Sequence, residues 1–231
     1  MGGVGLPANK EYIMKKATIA LVALAFGAFT AQAQTTSANI VGYSKSSLTG
    51  GFTIAAMQFD GGASGPTAVY GDQLPSGSKI YTFDGSSYSI ASYGSTFVPG
   101  QGLVTAWNAA PSLEAGSAYW IETASPVDAI VSGSVNTADS VTNNIAAGFS
   151  LVSYPYPVER TVADLELSPA SGDKIYAWDG SAYSIITYGS VFVPGQGLVT
   201  QWNNSSAVIS VGQGFWYETA TPQTWVVNKP F

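Results

Sequence analysis

Cysteine and histidine are both absent from the 231 residues, and only eight side chains are basic. Without cysteine there is no thiol nucleophile and no disulfide, so the chain relies on packing alone. Without histidine there is no Ser-His-Asp triad, no imidazole acid–base pair and none of the usual zinc sites. The cations are scattered among fourteen acids, for a net charge of −6. No basic stripe exists to neutralise phosphates, which argues against nucleic acid and against anionic lipid surfaces as partners. Sustained helical periodicity is missing from residue 34 onward. The chemistries left open are an all-carboxylate active site and a calcium site.

What is present, above all, is repetition. Residues 79–108, KIYTFDGSSYSIASYGSTFVPGQGLVTAWN, recur at 174–203 with changes only at positions 82, 83, 87, 91, 92, 96 and 106. AGSAYWIETASP at 115–126 matches VGQGFWYETATP at 211–222, and GFTIAAMQF at 51–59 matches GFSLVSYPY at 148–156. A segment copied this closely is one folding unit used twice. The expected division is residues 34–133 for the first unit and 134–231 for the second, with the polar stretch 133–147 as the junction.

The beginning of the chain reads as a secretory signal. Lys15 and Lys16 precede an uncharged apolar run from Thr18 to Thr30, and Ala31-Gln32-Ala33 supplies the small-x-small cleavage site. Met14 is the expected start, residues 1–33 the part removed, and cleavage falls after Ala33. The apolar run is too short to span a bilayer, so no membrane insertion of the mature chain is expected. That mature chain keeps five cations against thirteen acids, a net charge of −8. The address is secreted: periplasm, cell surface or extracellular space.

Short β-branched and aromatic runs between Gly, Pro and Asp point to strands, five or six per copy. The fold class expected is all-β: two tandem homologous units, each a small β-sandwich or partly closed barrel, packed about a pseudo-twofold axis. Asp84-Gly85 and Asp179-Gly180 predict two-residue type I′ hairpin loops, setting Phe83 opposite Ser86 and Tyr81 opposite Tyr88. Lys79, Tyr81, Phe83, Ser86, Tyr88 and Ile90 then share a face, as do Lys174, Tyr176, Trp178, Ser181, Tyr183 and Ile185, and each aromatic face is expected to pack on the domain core, the alternative being an exposed platform for stacking against a ligand. Pro99-Gly100 and Pro194-Gly195 predict type II turns.

GFSLVSYPYP at 148–157, GDKIYAWDGSAY at 172–183 and VGQGFWYET at 211–219 together resemble a β-rich module of secreted and surface proteins of environmental bacteria, with its "GWNLIS-P", "KIYxWDG" and "GQGYWV" motifs in this order. The first copy departs further: GFTIAAMQF lacks the proline, and Phe52 and Phe149 stand where Trp is usual. The resemblance implies an extracellular, non-catalytic module, and it carries no ligand or catalytic residue across.

Trp107-Asn108 and Trp202-Asn203, with Tyr93 and Tyr188 nearby, are the candidate ligand-binding residues, because sugar sites pair an aromatic face with amides that orient hydroxyls. Glu122 and Glu218 are the carboxylates a glycosidase would need to bring within about 5–9 Å; at strand ends, accepting local hydrogen bonds, they are structural instead. Asp60, Asp164, Glu166 and Asp173 lack the spacing of a calcium loop. A terminal Phe231 suits an outer-membrane barrel, but Pro230 spoils a final strand. The expectation is therefore an exported, non-enzymatic protein with a structural or adhesive role, without metal or cofactor. Its expected partners are an extracellular glycan, another surface protein or further copies of itself. A carbohydrate-binding protein is the alternative, with glycosidase and outer-membrane barrel more distant. Export from a bacterial host should yield Gln34 as the first residue by terminal sequencing; an intact leader would contradict the cleavage reading.

Overall fold

Alternation decides which side of each strand is buried. In Ala118–Thr123 the side chains of Tyr119 and Ile121 are wholly buried, while Trp120 and Glu122 project from the opposite face. The same holds for Lys79–Phe83, where Ile80 goes inward and Tyr81 and Phe83 outward. Every strand of the central sheets therefore has a core face and a second face that must be explained separately.

The computed structural model describes residues 1–2, 40–60 and 65–231; the expected leader and its cleavage site lie outside them. The first copy contains β1 (Val41–Leu48), β2 (Gly51–Ala56), a short helix α1 (Pro66–Tyr70), β3 (Lys79–Phe83), β4 (Tyr88–Val98), β5 (Gly102–Trp107), β6 (Ala118–Thr123) and β7 (Val127–Ser134). The second contains β8 (Ser140–Ile145), β9 (Gly148–Ser153), β10 (Arg160–Thr161), a 3-10 turn (Val162–Asp164), β11 (Lys174–Trp178), β12 (Tyr183–Val193), β13 (Gly197–Trp202), β14 (Val208–Ile209), β15 (Gly214–Thr219) and β16 (Gln223–Asn228). The protein is all-β, with two tandem β units. The two central sheets have the order β2-β6-β3-β4-β5 and β9-β15-β11-β12-β13, and two ribbons, β1-β7 and β8-β16, join the first and last long strands of each copy. All these pairings are antiparallel.

Each ribbon lies across the core face of its own sheet. Leu48, Ala129 and Val131 of the first ribbon meet Ile80, Tyr119 and Ile121; Ile145, Trp225 and Val227 of the second meet Ile175, Phe215 and Tyr217. Burying one such aliphatic side chain contributes about 1.5–3 kcal/mol. The ribbon strands β1 and β8, with the two-residue strands β10 and β14 of the second copy, account for the strands beyond the expected five or six. β8 falls inside the stretch expected to be a junction, because its alternation is Val141, Asn143, Ile145 inward with polar residues outward. The Asn-Asn pair in that run resembles turn chemistry, but cross-strand pairing with β16 overrides it.

The hairpin register differs from expectation by two residues. Phe83 pairs with Tyr88 and Trp178 with Tyr183, so each loop has four residues. A type I′ turn requires positive φ at both central residues, whereas here only Gly85 (100°) and Gly180 (104°) take it. The reason is the aspartate: Asp84 Oδ1 accepts the backbone N–H groups of Ser86 and Ser87, each at 2.8 Å, which removes them from the ladder. The Pro-Gly turns do form as the residues dictate, with Gly100 and Gly195 both at φ 84° and Gln101 and Gln196 closing them.

Both copies belong to one body spanning Asn39–Phe231, and they meet through equivalent residues. Ala56 N donates to Gly212 O at 2.9 Å, and its counterpart Ser153 N donates to Gly116 O at 3.2 Å. Bridges Ala55–Gln213 and Ser117–Val152 repeat the same reciprocity. Such an exchange of equivalent contacts is what a twofold relation produces. At its centre β6 and β15 cross so closely that a Cβ placed on Gly214 would lie 2.4 Å from Ala118 Cβ and 2.8 Å from Ile54 Cγ2. Gly214→Ala should therefore cost about 1–3 kcal/mol by overpacking, read as a lower urea midpoint, and adding Ala118→Gly should recover the part due to the Ala118 methyl, the contact with Ile54 remaining.

Candidate functional site

The aromatic faces do not pack on the core of their own unit, as their size suggests they should. The core face of β3 and β4 carries Ile80 and Ala91, both fully buried, and that of β11 and β12 carries Ile175 and Ile186. These compact aliphatics leave the space that the ribbon fills. Phe52, Tyr81, Phe83, Tyr88 and Trp120 are displaced to the outer face of the first sheet, and Phe149, Tyr176, Trp178, Tyr183 and Trp216 to the outer face of the second. There the two faces meet each other.

The meeting is reciprocal. Phe83 of the first copy stands edge-on to Trp216 of the second at 5.1 Å between centroids, and Trp178, the equivalent of Phe83, stands edge-on to Trp120 at 5.6 Å. T-shaped pairs of this kind add about 0.5–1.5 kcal/mol beyond the area they bury. One difference breaks the symmetry: Trp178 Nε1 donates to Phe52 O at 2.8 Å across the copies, a bond Phe83 cannot return to Phe149. Gln58 breaks it again. In the first copy Gly116 N donates directly to Met57 O at 2.9 Å. In the second the equivalent groups are separated, and the buried Gln58 amide spans them, accepting from Gly212 N at 2.8 Å and donating to Tyr154 O at 3.0 Å.

Two clefts remain open beside this seam. One, of about 490 Å³, is lined by Phe52, Tyr81, Tyr88, Ile90, Trp120, Trp178 and Tyr183. Its twin, of about 430 Å³, is lined by Phe83, Tyr88, Phe149, Tyr176, Tyr183 and Trp216. The second set is the first carried through the repeat, without the isoleucine, and Tyr88 and Tyr183 serve both. Burial holds the hydroxyls of these two tyrosines above the ordinary phenol range, with hydrogen bonding to Trp120 and Trp216 respectively acting the other way.

Glu122 and Glu218 stand at the margins, each tied within its own sheet. Glu122 Oε2 accepts from Tyr81 OH at 2.5 Å and Lys79 Nζ at 3.1 Å; Glu218 Oε2 accepts from Tyr176 OH at 2.5 Å and Lys174 Nζ at 2.9 Å. Tyr81 and Lys79 hold the Glu122 carboxyl below its ordinary value, and Lys174 and Tyr176 do the same for Glu218. A general acid for glycoside cleavage needs a raised value instead. Three of the other acids are also engaged: Asp173 accepts from Tyr217 OH and Ala170 N, Asp164 from Thr161, and Glu166 from Asn228. Among the described residues no cluster of three or more acidic side chains is placed to hold a metal ion.

The Trp-Asn candidates lie elsewhere. Trp107 packs half-buried on the first core, and Trp202 is buried in the second. Their cross-strand partners Tyr93 and Tyr188 lie against them at 5.2 and 5.3 Å between centroids, the first pair tilted and the second edge-on. Asn108 Oδ1 accepts from Ser92 N at 2.8 Å and Asn203 Oδ1 from Thr187 N at 3.1 Å, so each carboxamide extends a strand ladder. The structure brings each Trp-Asn-Tyr set together, at a core margin. The cleft residues Phe52, Phe149, Trp120 and Trp216 were absent from the candidates. Their signal was the alternation of Trp120 and Glu122, which puts them on the same face as Lys79 and Tyr81.

The chain matches no protein-family model, no curated protein and no solved structure.

Because the folded carboxyls of Glu122 and Glu218 bind protons less readily than in the unfolded chain, unfolding takes up protons as the medium acidifies. Their stabilisation is complete above the ordinary glutamate value of 4.5 and is lost as pH falls below it. Urea midpoints should drop over that acid range. Combined Glu122→Gln and Glu218→Gln should flatten part of the drop, the rest coming from Asp84, Asp128 and Asp179, whose carboxyls are likewise held low.

Proposed function

We propose that this is an exported, non-catalytic β-module protein with an adhesive role, and that the twin aromatic clefts are the face with which it adheres to another surface protein. The observation that carries this reading is the contiguous exposure of Phe52, Tyr88, Ile90, Phe149, Tyr183 and Ile185 around the clefts, each between 42% and 52% exposed. A soluble protein seldom leaves a grouped apolar surface of this kind without a partner. The lining residues are aromatic or aliphatic, so apolar side chains of a partner satisfy the clefts, and two adjoining hollows suit two anchors in one partner. The resemblance of 148–157, 172–183 and 211–219 to secreted bacterial modules supports the same reading.

The carbohydrate alternative has less support. The amides of Asn108 and Asn203 are spent on backbone groups, and of the cleft hydroxyls those of Tyr81 and Tyr176 are bonded to Glu122 and Glu218, which leaves those of Tyr88 and Tyr183. A hydroxyl-rich sugar needs more partners than these.

The mature protein is expected to bind an anilinonaphthalene dye and to adhere to envelopes of the bacterium that exports it. Tyr88→Ser combined with Tyr183→Ser should weaken both by about tenfold or more, equivalent to some 1.4 kcal/mol, with little change in thermal unfolding. Unchanged adherence in the double variant removes the clefts from the account. Glycan-array binding by the parent protein, lost in the double variant, replaces the protein partner with a sugar.

A further inference from the structure

Among the described residues the outer strands β5 and β13 each have one hydrogen-bonded neighbour, so each sheet ends there on an unpaired edge. Native edges of this kind are commonly guarded by charge, proline or a bulge. Here the guard is missing: residues 88–108 and 183–203 contain no charged side chain, and neither Gly102–Trp107 nor Gly197–Trp202 contains proline.

The phase of the ladder shows which groups are free. Asn108 N donates to Ser92 O, and Asn203 N to Thr187 O, each at 3.0 Å. Antiparallel pairing alternates from there, so Leu103 and Thr105, and likewise Leu198 and Thr200, direct N–H and C=O away from the sheet. The same hairpins overhang the core. Phe97 pairs with Leu103 and Phe192 with Leu198, and the four are 68%, 76%, 70% and 75% exposed. The face that is apolar because it covers the core near Tyr93 and Tyr188 thus continues outward with none of the described residues beneath it.

We infer that the chain assembles end to end with copies of itself by antiparallel pairing of these edges. The occupant follows from charge and from identity. Copies of the mature chain, with five cations against thirteen acids, repel one another, except where they approach through uncharged surface, and the two hairpins provide such surface. Residues 97–105 and 192–200 are the same nine letters, FVPGQGLVT, so every edge that fits one fits the other. Pairing across the edge joins free donors to free acceptors and covers the Phe-Leu overhang of each copy with that of its neighbour. A chain carrying two such edges is divalent, and its product is an open row instead of a closed dimer.

Light scattering on a sizing column, with negative-stain imaging, tests this on the mature protein. The parent protein should gain mass with concentration, reaching about fourfold the monomer or more by mass action, and should show rods. Leu103→Lys or Leu198→Lys alone, each at a well-exposed position, should stop growth at dimers; together they should leave monomers. Tyr88→Ser with Tyr183→Ser should assemble like the parent, which separates this inference from the adhesive face. A parent that stays monomeric throughout, single variants that grow as long as the parent, or a double lysine variant that still assembles would each overturn it. So would a monomeric parent that sediments with phosphatidylcholine vesicles and loses this with the lysine substitutions, an outcome that assigns the hairpins to lipid.

Discussion

Where β6 and β15 cross, there is room for one methyl group and not for two. Ala118 supplies it, and Gly214 yields. That single allowance sets how near the outer faces of the two sheets can come. The edge-on contacts of Phe83 with Trp216 and of Trp178 with Trp120 follow from it, as do the reciprocal backbone bonds of Ala56 and Ser153. A wider separation would take Phe83, Trp120, Trp178, Tyr183 and Trp216 away from their partners across the seam, and the space beside it would lose its walls. Close-packed interiors tolerate such a gap poorly, because dispersion contacts decay over fractions of an ångström.

Each copy uses its sheet twice. The inner side, built from compact residues such as Ile80 and Ile175, is closed by the terminal ribbon and makes an independent core. The outer side joins the copies over part of its area and leaves the remainder exposed as clefts. Charge is kept to the rim, where the Lys79–Tyr81–Glu122 and Lys174–Tyr176–Glu218 sets neutralise themselves. Exposed pairs of this type contribute little to stability. They let the sheet end in water without setting an uncompensated charge beside an aromatic wall.

Much of this was legible in the letters. Repetition at 79–108 and 174–203 fixed two like units, strand alternation fixed their class, and Pro99-Gly100 and Pro194-Gly195 fixed their turns. What could not be read was which face of a strand becomes interior when both are apolar. Tyr81 and Ile80 are equally good core residues in isolation, and the choice falls to Ile80 because the ribbon from β1 and β7 needs a shallow surface to lie on. Trp107 illustrates the reverse case. Its neighbouring asparagine suggested a binding pair, but a carboxamide facing a free N–H at a strand end completes the ladder before it meets any ligand. Asp84 displaced the hairpin register for the same reason, since its carboxylate competes with the sheet for the N–H groups of Ser86 and Ser87.

The crowded crossing also bears on how the gene can change. Tandem copies this alike are natural templates for one another, and a conversion tract that overwrote the glycine codon at 214 with its sister's alanine would put two methyl groups into a space that holds one. The hairpins can exchange letters freely and remain interchangeable. The centre of the seam cannot, because alanine in both halves would keep the molecule from closing.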